Sequence, residues 1–220
     1  MMPADDAPKH RKAVTVAAFD FDETLTRQDT VVPFLRRLAG GRTLALGVLA
    51  RSHRLASAAM RRNRDALRAM ATDQVFRGRS IHEVEEHARE YGDQIYAVGL
   101  RPDTAARLAW HREAGHRVVI VSASYEQYVH VVGAHLGVDA VLATRLEVES
   151  ERCTGRLLGP NCRGPEKVAR LRGWLDAEGL SLDDVTLWAY GDSGGDRELL
   201  AAAQHPHWVR TPLDSVSPAV

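Results

Sequence analysis

The sequence predicts an α/β protein, a doubly wound parallel sheet carrying a helical insertion, and three observations predict it. Short apolar runs at Val14–Phe19, Arg117–Val121 and Val185–Tyr190 have the length and the β-branched and aromatic content of buried strands. Beyond residue 100 such runs alternate with helical patterns, as βαβ units require. Between Thr30 and Gly99 that alternation stops and the pattern is helical without a convincing strand.

Taken in order, the chain opens on a polar segment, residues 1–12, with Pro3 and Pro8, which is expected to be disordered. The first strand, Val14 to Phe19, stops on Asp20-Phe21-Asp22-Glu23-Thr24-Leu25-Thr26. Residues 29–99 are expected to form the inserted helical cap, and residues 13–28 with 100–220 the core. The best cap helix begins at Ser80, with Glu83 completing a capping box. It sets Ile81, Val84, Ala88, Tyr91, Ile95 and Val98 on one apolar face. Arg61, Arg62, Arg64, Arg68, Arg77 and Arg79 make a basic concentration ahead of it, read as a solvated helix face. Pro102 opens the next helix, with Leu108 and Ala109 on its inner side and Gly115 as a left-handed stop before the strand that ends at Ser122. A helix from Tyr125 to Leu136 stops at Gly137, and a strand-like Val138 to Ala143 and a hairpin from Leu146 to Leu158 follow. Pro165 then opens a helix bearing Lys167, Val168, Leu171 and Leu175, closed by Gly179. The strand that follows ends at Tyr190, ahead of Gly191-Asp192-Ser193-Gly194-Gly195-Asp196.

Composition narrows the function classes. Lys plus Arg equals Asp plus Glu at 29 each over 220 residues, so no global field draws the protein to nucleic acid or an anionic membrane. The polar start leads into no stretch long enough for a secretory signal or a spanning helix, which makes a cytoplasmic enzyme the expectation. Cys153 and Cys162 are read as reduced thiols, and none of the ten histidines stands in an HExxH arrangement.

In an open parallel sheet, ligands bind outside the carboxyl ends of the strands, so Asp20, Asp22, Ser122, Asp192 and Asp196 are expected to converge. A strand-terminal DxD is by itself often only a turn or a helix cap. The order DFDETLT, Ser122, Lys167 and GDSGGD is more specific, and it resembles the haloacid dehalogenase (HAD) superfamily of phosphatases, with a Rossmann-like core. Such a set has a physical reason. A phosphate monoester repels carboxylates by about 4 kcal/mol per unit charge pair at ~4 Å and an effective dielectric of ~20, so a counter-ion is needed. Oxygen ligands without thiolate or imidazole favour Mg²⁺. Lys167 adds a point charge, and Ser122 with the helix N–H groups behind it suits phosphate oxygens.

The resemblance covers most of the chain and is closest to the subfamily with a helical cap after the first motif, which contains phosphoserine phosphatases. It implies Asp20 as nucleophile, forming an aspartyl-phosphate, and Asp22 as acid and base. It implies Mg²⁺ on Asp20, the main-chain carbonyl of Asp22, and Asp192, supported by Asp196. Ser122, the neighbouring Ala123 and Lys167 would hold the phosphoryl group, Thr24 falls where the family has a threonine, and the cap would close over the substrate. The segment Leu158-Gly159-Pro160-Asn161-Cys162-Arg163-Gly164, with Glu166 and Lys167, resembles a branch whose substrates are mostly unassigned. Asp29 stands where phosphoserine enzymes carry a glutamate for the substrate amine, and Gly195 where they carry asparagine. Glu23 follows the second aspartate where a small residue is common, and is expected to face solvent. The expected partner is a small-molecule phosphate ester, with the oligomeric state open. The alternatives are a lipid-phosphate phosphatase, suggested by the apolar Leu44 to Ala50 stretch and the cap arginines, a phosphotransferase, and a non-catalytic binder of phosphorylated ligands.

Overall fold

A computed structural model describes residues 14–39, 64–210 and 213. Segment 1–12, the Leu44–Ala50 stretch and the side chains of Arg61, Arg62 and Arg64 lie outside the described residues. The elements are β1 (Val14–Phe19), α1 (Val31–Ala39), α2 (Arg64–Phe76), α3 (Ile81–Gln94), α4 (Pro102–Glu113), β2 (Arg117–Tyr125), α5 (Glu126–Leu136), β3 (Ala140–Thr144), β4 (Leu146–Glu149), β5 (Arg152–Leu157), α6 (Pro165–Ala177), β6 (Val185–Gly191), α7 (Arg197–Ala201) and β7 (His205–Trp208).

Five strands form one parallel sheet in the order β3-β2-β1-β6-β7. Residue alternation along the central strands explains why both faces are covered. Ala17, Phe19, Val118, Ile120, Trp188 and Tyr190 enter one apolar cluster, while Val16, Ala18, Val119, Val121, Leu187 and Ala189 enter the other. The chain turns back at β1, so the carboxyl ends of β1 and β6 lie side by side, with Phe19 opposite Tyr190. A crevice at such a switch point is where this architecture binds ligands.

The described part of the stretch between β1 and α4 is helical, and its entrance and exit run together. Arg27 N–H donates to Gly99 O, and Arg101 N–H to Leu25 O, both at 2.9 Å. The hairpin β4–β5 reaches across to it, where Gly78 N–H donates to Cys153 O at 2.8 Å and Cys153 N–H to Arg79 O at 2.9 Å.

Several local expectations are corrected. Ser80 does cap α3, but no side-chain cap bond forms, and Glu83 pairs with Arg79. Val84, Ala88, Tyr91 and Ile95 are buried, whereas Val98 is 72% exposed: the helix widens into a π-turn at Ile95–Gly99, which breaks the 3.6-residue period. Ala109 faces solvent while Leu108 is buried. Strand β2 continues past Ser122 to Tyr125 through an irregular register, and β3 starts at Ala140. Cys153 and Cys162 are free and buried.

Candidate active site

A cavity of about 540 Å³ opens at the carboxyl ends of β1, β2 and β6. Asp20, Asp22, Asp29, Ser122, Ala123, Lys167, Asp192 and Asp196 line it, and Thr24 sits buried behind it.

The first half of the site is built on charge. Asp20 follows β1, and its N–H donates to Tyr190 O at 2.9 Å, which fixes it beside β6. Lys167, one turn into α6 and 2% exposed, donates to Asp20 Oδ1 and to Asp196 Oδ1, each at 2.5 Å. The other oxygen of Asp196 accepts the Ser193 N–H and hydroxyl, both at 3.0 Å, so this residue anchors the lysine and its own loop together. Gly191 makes that anchoring possible, because a Cβ there would lie 2.5 Å from Asp196 Cβ. Thr24 Oγ1 donates to Asp20 Oδ2 at 3.3 Å and lies 3.5 Å from Asp192 Oδ1. Burial lifts Asp20 to about 6 against the pull of Lys167, and burial with the charges of Asp20, Asp196 and Glu23 lifts Asp192 to about 7. Burial alone would pull Lys167 down, but Asp20 and Asp196 outweigh it and keep the ammonium protonated.

Asp20, Asp192 and Asp196 present carboxylate oxygens within 4.8 Å of one another. An all-oxygen donor set of this kind fits a hard divalent cation and offers nothing to a soft one.

The second half is built on neutral hydroxyls. Asp22 Oδ1 accepts the Thr30 N–H at 2.9 Å and the Thr30 hydroxyl at 2.5 Å, and its Oδ2 accepts the Ser124 hydroxyl. Its carboxylate is thus directed away from the acidic cluster. Thr30 is held in turn by Tyr128, 2.9 Å from its hydroxyl, and by Tyr91, which donates to its carbonyl at 3.0 Å. Burial and the charge of Asp29 raise Asp22 to about 6, while Ser124 and Thr30 oppose the rise. Asp29 itself caps α1, accepting the N–H groups of Val31 and Val32 at 3.0 and 3.1 Å.

Glu23 is exposed, as the sequence suggests, yet it lines the cavity mouth, with a left-handed backbone at φ 58°. Arg68 departs from the solvated-face reading. It lines the cavity, donates to Ala123 O at 2.9 Å and lies over the Tyr125 ring. Ser122 is buried beside Ala123, and its hydroxyl oxygen accepts the Ser124 N–H at 3.0 Å. Sequence reasoning assigned nothing to Thr30, Ser124, Asn161 or Arg163. The only signals for them were a serine two places after Ser122, a threonine after Asp29, and the segment ahead of Pro165.

The pattern of haloacid dehalogenase-like hydrolases matches residues 17–201. Protein CicA of Caulobacter vibrioides is 39% identical over 189 residues, which cover 86% of this chain and 82% of CicA. A probable phosphatase of Mycobacterium tuberculosis is 30% identical over 208 residues, 92% of this chain and 70% of its own. The structure of a substrate-bound phosphoserine phosphatase shares the fold, with a TM-score of 0.61 at 21% identity over 88% of this chain and 84% of that one.

Proposed function

The chain belongs to the haloacid dehalogenase-like hydrolases, and within that family we propose that it is a Mg²⁺-dependent phosphomonoesterase acting on a small phosphorylated metabolite. The observation that carries this reading is the separation of two neighbouring carboxylates into unlike environments, Asp20 on Lys167 and Asp22 on Thr30 and Ser124. A pair with its environments set apart divides nucleophile from acid and base.

In the proposed reaction, a carboxylate oxygen of Asp20 attacks phosphorus while the bond from phosphorus to the ester oxygen breaks. Asp22 gives its proton to the departing alkoxide. A water then attacks the aspartyl-phosphate, Asp22 takes that water's proton, and phosphate leaves with Asp20 restored. Lys167, Ser122 and the backbone at Ala123 hold the phosphoryl oxygens. A Mg²⁺ on Asp20, Asp192 and the Asp22 carbonyl, steadied by Asp196, would neutralise phosphate charge. Residues 29–99 act as the cap in this reading, since Val31, Val32, Leu35, Arg68 and Ala71 form one wall of the cavity. Asp29 is already bonded to the start of α1, which makes it a poor counterpart for a substrate amine and disfavours phosphoserine itself.

Hydrolysis of 4-nitrophenyl phosphate in Mg²⁺ tests the reading. Asp20→Asn is expected to lose about 10³-fold or more in turnover, and a chelator to silence the wild type. Full turnover by that variant, or by the wild type in EDTA, would defeat it.

A further inference from the structure

We propose that Arg163 is a further anion-binding residue of this site: its guanidinium takes an anionic oxygen of the bound ester from a seat kept open by the bare backbone of Gly195. The proposal rests on the phosphatase reading above.

Three basic side chains line the cavity against six acidic ones. Two of the three are committed, Lys167 to Asp20 and Asp196, and Arg68 to Ala123 O and the Tyr125 ring. Arg163 is half-buried, and among the described residues no carboxylate, carbonyl or ring holds its guanidinium. A half-buried cation in an acidic cavity, joined to none of its carboxylates, is available to a ligand anion.

The seat is built. Cys162 N–H donates to Thr144 Oγ1 at 3.1 Å, the Thr144 hydroxyl to Asn161 Oδ1 at 2.9 Å, and Arg163 N–H to Asn161 O at 2.7 Å. Gly164 N–H donates to Gly195 O at 2.9 Å, tying this segment to the loop that carries Asp192 and Asp196. A Cβ on Gly195 would lie 3.0 Å from Arg163 Nε, 3.2 Å from its Cγ and 3.4 Å from its Cζ. Gly195 is not among the residues with left-handed φ, so its backbone admits other amino acids. What a side chain there would disturb is the arginine.

The anion is either a phosphoryl oxygen or a second acidic group on the alcohol portion of the ester, and two probes separate them. Calorimetry with inorganic phosphate in Mg²⁺ reads the first. Steady-state KM for 3-phosphoglycerate, which carries a carboxylate and no amine, against 4-nitrophenyl phosphate, which carries neither, reads the second. Arg163→Gln and Gly195→Ala are each expected to weaken phosphate binding about tenfold or more if the oxygen is phosphoryl. If it belongs to the alcohol portion, only the KM for 3-phosphoglycerate rises by that factor. In either case the double variant loses no more than Arg163→Gln alone, because both changes empty the same seat. Wild-type phosphate binding with unchanged KM for both esters in Arg163→Gln overturns the proposal, and so does simple additivity in the double variant. A wild type that binds phosphate and hydrolyses no ester defeats the phosphatase reading, while the calorimetric comparison still decides Arg163.

Discussion

Asp20 and Asp22 are two residues apart on one loop, yet the molecule surrounds them with different matter. Asp20 lies among charges, with Lys167 on one oxygen and the Asp192 and Asp196 carboxylates close by. Asp22 lies among hydroxyls contributed by the two sides of the fold, Thr30 ahead of α1 and Ser124 on β2. Both are lifted to about 6 by burial, so their acidity does not distinguish them. What distinguishes them is the partner: a fixed ammonium holds a carboxylate ionised and aimed, whereas neutral donors favour the ionised form with no full charge to oppose proton uptake. Role therefore follows from surroundings rather than from residue type.

Removing the ammonium is the harshest test of that difference. Lys167→Met leaves Asp20 and Asp196 buried without a cation, and breaking a buried pair of this kind costs about 3–5 kcal/mol. Urea unfolding in EDTA should show that loss, and turnover in Mg²⁺ should fall about 10³-fold. Asp22→Asn ranks next. It should lower kcat by about 10²–10⁴-fold while leaving the urea midpoint near wild type, because no ion pair is broken. Equal destabilisation by the two variants would erase the contrast.

Smaller changes sharpen it. The hydrogen bonds from Thr30 and Ser124 favour the ionised form of Asp22, so Thr30→Val or Ser124→Ala should raise its pKa above about 6. Where Asp22 must be protonated to donate, the high-pH limb of the kcat profile then moves upward, with a loss in kcat of about tenfold or less at the optimum. A limb that stays in place would detach Asp22 from the acid role.

Four of the five sheet strands and the charged half of the site were legible in the sequence, for a local physical reason, whereas the short edge strand β7, with His205, Pro206 and His207, carries no apolar run to announce it. Strand-length apolar runs ending in Asp20, Ser122 and Asp192 follow from period and chain order alone, and parallel topology does the rest. The hydroxyl half was not legible. Ser124 lies 102 residues from Asp22 and becomes its partner only when the irregular end of β2 is brought to the loop after β1, while Thr30, eight residues from Asp22, reaches it through a turn ahead of α1 that no periodic pattern marks. The same holds for Arg163, whose place depends on a backbone bond from Gly164 to Gly195. Helix α3 shows a different loss: its pattern through Val98 obeyed a 3.6 period that the π-turn abandons.

Any pH profile of Asp22 must be read against a second, opposing titration beneath the same carboxyl ends of β1 and β6, where His111 of α4 packs on Phe19 and Tyr190. His111 is fully buried, its Nδ1 2.7 Å from His116 Nδ1 and its Nε2 2.9 Å from the Tyr190 hydroxyl, with Trp110, Trp188 and His207 packed around. Burial and the neighbouring His116, Arg107 and His207 push His111 down to about 3, and burial also lowers His116 and His207. The unfolded chain takes up these protons near 6.5 and the folded chain does not. Stability is therefore complete above pH ~6.5 and is lost as pH falls below it, by about 2 kcal/mol at pH 5 from His111 alone. Urea midpoints from pH 7.5 to 5 should record this decline, and His111→Gln, which cannot take a proton, should flatten part of it. A midpoint that rose towards pH 5 would mean that proton uptake by Asp20 and Asp22, which favours the folded chain between their ordinary value and about 6, outweighs the histidines.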